Sequence, residues 1–138
     1  MTIKLYGSTC ASTRKARRWF QTYNIPFIYR DIMRHPLSIG EMQHILRLTE
    51  SGTEDIISKR SNISKQLNLD FESLPLQKLY EYIQEFPRLL RLPIIFDENK
   101  LQVGFDEHNI RQFIPRDQKK KLFKNLFTFQ KNPHIEGV

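Results

Sequence analysis

At the start of the chain the apolar positions change period twice. Residues 3–6, IKLY, and the run PFIYRDI from Pro26 are short and rich in aromatic and β-branched side chains, which predicts two strands. Between them Ala16, Trp19, Phe20 and Tyr23 fall at i, i+3, i+4 and i+7, the spacing of one buried helical stripe, while Arg14, Lys15, Arg17 and Arg18 take the other side. A β-α-β unit of this kind predicts parallel strands joined by a right-handed crossover.

After His35-Pro36 the strand signals stop and helical spacing takes over. Ile39, Met42, Ile45, Leu46 and Thr49 mark a helix that Ser38 can cap and that Ser51-Gly52 is expected to end. Thr53 with Glu54 and Asp55 opens a brief second helix, Ser61 caps a third ending near Asn68, and Leu76, Leu79, Tyr80 and Ile83 repeat the buried stripe. Two apolar runs, LPIIF and LQVGF, then flank Asp97-Glu98-Asn99-Lys100 and predict a β-hairpin. Asp106 can cap a last short helix carrying Ile110 and Phe113.

The order is β-α-β, an all-helical insertion, then β-β-α, the connectivity of an α/β, thioredoxin-like mixed sheet. The expected domain covers residues 1–116, with a core of 1–35 and 90–116 and the insertion over 36–89. Residues 117–138, where lysines alternate with Leu and Phe, are expected to form a basic amphipathic helix or a tail. In this connectivity the proline opening the third strand, Pro93, follows a cis peptide, and Leu92 and Pro93 are expected close to Cys10.

Composition narrows the picture. The 138 residues are 39% hydrophobic, enough for one core but not for two independent domains. No stretch approaches the roughly 18 apolar residues of a membrane span, and MTIKLYG lacks a signal-peptide run, so the expectation is a cytoplasmic protein. A formal net charge of +7 favours anionic partners. The scattered histidines, His35, His44, His108 and His134, give no metal-binding spacing, and no metal or cofactor is expected.

Cys10 is the only cysteine and falls where the first helix should begin, a place that favours a thiolate. Arg14 and Lys15 are expected to push the same way. Thr13 occupies the second position of a C-x-x-C pair, which excludes an internal disulfide and leaves one-thiol chemistry or an inert side chain. The cations of the first helix read as a solvated face around an apolar stripe, since no duplex-reading motif accompanies them.

The segments CASTRKARRWF, PLSIGEMQHILRLTESGTEDIISKRS and NLDFESLPLQKLYEYIQEFPRLLRLPIIFDENKLQVGFDEHNIRQFIPR resemble the Spx regulators of the arsenate-reductase-like family, with no obvious gap from residue 3 to 116. The resemblance implies a non-enzymatic, stress-responsive transcription regulator. It would bind the C-terminal domain of the RNA polymerase α subunit through Gly52 and Arg47, touch promoter DNA only within the polymerase complex, and be monomeric when free. Regulated proteolysis, a family trait, would make the C-terminal HIEGV a target for a protease or adaptor. Two departures matter: Thr13 replaces the second thiol of the family's redox switch, and Leu92 stands where arginine often precedes the strand proline. Arg60 matches a family basic position, so an anion pocket at Cys10 would draw on Arg14, Arg60 and Arg91. The rival implied by the same resemblance is an arsenate reductase or other monothiol oxidoreductase using Cys10.

Overall fold

A computed structural model of the chain describes residues 2–115. Four strands, β1 (Lys4–Gly7), β2 (Ile28–Asp31), β3 (Ile94–Phe96) and β4 (Leu101–Val103), form one sheet in the order β2-β1-β3-β4. Strand β1 is parallel to β2 and antiparallel to β3, and β3 pairs antiparallel with β4. This is the expected β-α-β and β-β-α order, with five α-helices among the described residues: α1 (Ala11–Thr22), α2 (Ile39–Leu48), α3 (Thr53–Ile56), α4 (Asn62–Leu67) and α5 (Leu76–Glu85). The final turn, Asn109–Phe113, is a 3-10 helix, and the Leu92-Pro93 peptide is cis. The basic segment expected over 117–138 lies outside the described residues.

Alternation along the strands divides the core in two. Leu5 and Ile95 point to one face, where Ala16, Trp19 and Phe20 of α1 meet Ile110 and Phe113. Tyr6, Ile94 and Phe96 point to the other, where Met42, Ile45, Ile56, Leu79 and Ile83 of the helical insertion pack. Each fully buried aliphatic or aromatic side chain here contributes about 1.5–3 kcal/mol relative to exposure. Among the described residues no helix is long and apolar enough to cross a membrane.

Local chemistry sets the helix ends. Ser38 caps α2 in a capping box: its hydroxyl accepts the Glu41 N–H at 3.1 Å, and the Glu41 carboxylate accepts the Ser38 N–H at 2.8 Å. Ser61 caps α4, and Asn68 closes it in the left-handed region.

Three expectations are corrected. Tyr23 does not join the buried stripe of α1; it is the C-cap, 37% exposed, and Thr13 at the other end of the helix is buried instead. Leu76, 36% exposed, likewise sits on the first turn of α5, outside the reach of the core that buries Leu79 and Ile83. Gly52 does not end α2. That helix stops at Leu48, where the Thr49 hydroxyl donates to the Leu46 carbonyl at 2.6 Å, and Gly52 is the N-cap of α3.

Candidate functional site

Strand β1 ends at Gly7, and Cys10, in extended backbone, is the N-cap of α1. Gly7 is required by a close approach: a Cβ there would lie 2.5 Å from Thr13 Cγ2 and Oγ1. That space lets Thr13 tuck fully inside, its Oγ1 accepting the Ser8 N–H at 3.3 Å and lying 3.1 Å from Cys10 Sγ. The Cys10 N–H donates to Ser8 Oγ at 3.3 Å, and the thiol remains exposed. Burial pushes the Cys10 thiol up, but hydrogen bonds from the Thr13 and Ser8 hydroxyls and the Thr13 and Ser12 backbone outweigh it and hold the thiol below its ordinary value. The hydroxyls of the loop thus do what the charges of Arg14 and Lys15 were expected to do.

A cavity of about 420 Å³ opens in front of the sulfur, lined by Cys10 and Ser8 with Ser58, Arg88, Arg91 and Leu92 among others. Its far wall is built by two segments distant in sequence. Ile57 and Leu90 form an antiparallel bridge, the Ser58 N–H donates to the Leu89 carbonyl at 2.6 Å, and the Arg91 N–H donates to the Ile56 carbonyl at 2.7 Å. A second cavity of about 660 Å³ shares Ser58 and Arg91 with the first and adds Ser51, Lys59 and Arg60. Of the residues expected around an anion, Arg91 therefore reaches the Cys10 cavity, Arg60 the adjoining one, and Arg14 neither; Arg14 Nη1 donates to the Thr9 carbonyl at 3.2 Å. Arg88 is the cation that sequence reasoning missed, since nothing local marks it as a neighbour of Cys10. Among the described residues no cluster of His, Cys, Asp or Glu could hold a metal ion.

Arg47 and Gly52 fall on either side of the C-terminal end of the insertion's first helix. Arg47 is exposed in the last turn of α2, its Nε donating to the Gln43 carbonyl at 3.4 Å. Gly52 has φ 73° and ψ −136°, a conformation that L side chains rarely adopt, and nothing lies within 4 Å of where its Cβ would be. Asp55 ties the turn between them, its Oδ2 accepting the Glu50 and Ser51 N–H groups at 3.0 Å each. The result is an open corner in which hydrogen bonds hold the turn at Glu50 and Ser51 and the Arg47 side chain stays exposed.

At the other end of α2 sits a cluster that no sequence signal announced. Glu41 accepts from Tyr6 Oη at 2.6 Å and Arg30 Nη2 at 2.7 Å, and the Arg30 guanidinium stands 4.1 Å from the Tyr6 ring centroid. Burial works against the Glu41 charge, yet the bonds from Arg30, Tyr6 and the Ser38 backbone hold its carboxyl at about 2. Burial, reinforced by the bond to Glu41 and its charge, pushes the Tyr6 hydroxyl well above the usual range. The cluster clamps the start of α2 to β1 and β2, and so orients the helix whose far end carries Arg47.

Comparison with known proteins adds the following. A sequence profile of the ArsC family matches residues 5–113. The chain is 54% identical over 123 residues to the global transcriptional regulator Spx 2 of Oceanobacillus iheyensis, covering 89% of this chain and 91% of that protein. It is 54% identical over 115 residues to the global transcriptional regulator Spx of Bacillus subtilis, covering 83% and 88%. Among solved structures, an arsenate reductase from Vibrio cholerae superposes with a TM-score of 0.65 at 19% identity, over 83% of this chain and 96% of that one. A protein from Bacteroides fragilis described as ArsC family related gives a TM-score of 0.70 at 17% identity, over 82% and 99%. At such identities these structures speak for the fold alone.

Proposed function

The chain belongs to the ArsC family, alongside its Spx global transcriptional regulators, and from that premise we propose that it regulates transcription by docking on the C-terminal domain of the RNA polymerase α subunit through the Arg47–Gly52 corner. The observation that carries the regulatory reading is identity above one half to named regulators over nearly their whole length. Support for the docking surface is physical. Gly52 leaves space for a partner's backbone, Arg47 offers an exposed cation in the last turn of α2, and the Asp55-bound turn holds the segment leading to Gly52 in place before the partner arrives.

The same premise assigns the protein to the compartment where polymerase works and gives Cys10 a subordinate part. No disulfide partner stands beside it, so control by an internal dithiol switch is absent from this reading. A monothiol reductase is the second reading, favoured by the lowered thiol and by Arg88 and Arg91 in the same cavity.

Calorimetric titration with the isolated α C-terminal domain tests the proposal. Saturable binding by the wild type, lost in Arg47→Glu, is the expected result; absence of wild-type binding together with arsenate-dependent turnover would move the assignment to the reductase.

A further inference from the structure

Among the described residues the polar contacts that tie α2 to other elements all fall at or before His44. Gln84 Nε2 of α5 donates to the Leu37 carbonyl, Glu41 accepts from Tyr6 of β1 and Arg30 of β2, and His44 Nε2 lies 3.1 Å from the carbonyl oxygen of Asp97. Beyond that point Leu46 and Leu48 rest on the core through apolar contact alone, and the side-chain hydrogen bonds of Arg47 and Thr49 stay inside the helix and its turn. Gly52 is fixed from elsewhere. Helix α3, which it caps, leads into the bridge between Ile57 and Leu90 and the bond from the Arg91 N–H to the Ile56 carbonyl.

Arg47 and Gly52 therefore take their places from two different anchors, joined by the short turn between them. Apolar contact has no direction and lets a helix slide or roll on the core by small amounts, whereas charge-assisted hydrogen bonds fix a geometry. Of the anchors on α2, Glu41 is the one that reaches two strands at once, at 2.6 Å to Tyr6 and 2.7 Å to Arg30. The dependence is mutual: the Arg30 guanidinium has no other hydrogen-bond partner among the described residues, and its Nε is buried without one. Arg47 lies about 9 Å further along the axis, at about 1.5 Å per residue, so a small roll of α2 at its start moves the exposed guanidinium.

We propose that Glu41 is a positioning residue for docking: through Arg30 and Tyr6 it fixes the roll of α2 on the sheet and so sets where Arg47 stands relative to Gly52. Its effect on α-subunit binding rests on the polymerase reading; its effect on the place of Arg47 does not. Glu41 also belongs to the capping box, and the two roles separate chemically. Glu41→Gln still completes the box but brings no charge to Arg30. Ser38→Ala removes the capping hydroxyl and keeps both the backbone N–H at position 38 and the bonds from Arg30 and Tyr6.

The test is titration of the full chain with the isolated α C-terminal domain, below the unfolding range of every variant, together with amide NMR spectra of the free chain. Glu41→Gln is expected to shift the resonances of residues 47–52 and to weaken α binding about fivefold, a size usual for groups that act at a distance. Ser38→Ala is expected to leave both unchanged. In an Arg47→Ala background Glu41→Gln is expected to add almost nothing, because no guanidinium is left to place, whereas general destabilisation would act equally in both backgrounds. Resonances of residues 47–52 that stay put in Glu41→Gln overturn the proposal. So do a wild-type affinity for α that Glu41→Gln leaves intact, losses that add in the double variant, and an equal loss in Ser38→Ala. Shifted resonances in a chain whose wild type does not bind α keep the positioning role and sink the polymerase reading instead.

Discussion

The Cys10 sulfur and the Thr13 hydroxyl oxygen lie 3.1 Å apart on the first turn of α1, in the positions of a dithiol pair. The geometry of a redox switch persists with one sulfur missing. Thr13→Cys is therefore expected to form an internal disulfide under mild oxidant, since a shift of about 1 Å brings two sulfurs to bonding distance. Intact mass spectrometry should show the loss of two hydrogens, restored by reductant; a variant that stays reduced under oxidant would show that the loop holds the pair apart.

Thr13 also tunes the thiol. Replacing its hydroxyl by a methyl in Thr13→Val removes the leading hydrogen bond that holds Cys10 down, so the midpoint of the pH dependence of alkylation should rise. The same change leaves the Ser8 N–H without its acceptor and should destabilise the domain by about 1–2 kcal/mol. An unchanged alkylation profile would assign the lowered thiol to the Ser8 hydroxyl and the backbone at the helix start.

Glu41 makes the fold acid-sensitive in a defined window. Its carboxyl is held at about 2, below the unfolded value of about 4.3, so its stabilising contribution is fully present above that unfolded value and is lost as pH falls toward 2. With the side chain 24% exposed, screening reduces that contribution to about 1–2 kcal/mol. Urea midpoints of the wild type should fall more steeply between pH 5 and pH 2 than those of Glu41→Gln. Parallel curves would mean that the clamp between α2 and the sheet does not depend on the charge.

Gly52 separates strain from bulk. Any L residue there meets an unfavourable backbone, about 1–2 kcal/mol, and no steric clash. Gly52→Ala and Gly52→Arg should thus lose similar stability by thermal unfolding, while only the arginine abolishes binding to the α C-terminal domain. Equal loss of binding in both would trace the effect to the turn and not to a covered surface.

Much of this protein was legible before any coordinates. The strands, the four insertion helices and the hairpin follow from period, caps and turn residues, all of which act within a few positions; Ser38 with Glu41 and Ser61 with Asn68 are examples. Errors fell at stripe ends and at one helix boundary, where Gly52 caps α3 and does not end α2. Tyr23 and Leu76 keep the helical period but lie on the last and first turns, where the core no longer reaches, and periodicity carries no information about where a neighbour stops.

The candidate site divides in the same way. Cys10 at a helix start and Thr13 in place of a second thiol were determined by the sequence, because each depends on the chain's immediate neighbours. The company that Cys10 keeps was decided only in three dimensions. Pairing of residues 56–58 with 89–91 brings Arg88 and Arg91 to the wall of the Cys10 cavity, sets Arg60 one cavity away, and leaves Arg14 facing a carbonyl. Likewise Tyr6, Arg30 and Glu41 meet from three elements, and α1 and α2 part to opposite sides of one sheet. Local order follows from short-range sterics and hydrogen bonding, whereas these contacts arise from how separate apolar faces stack, a choice made by the whole chain at once.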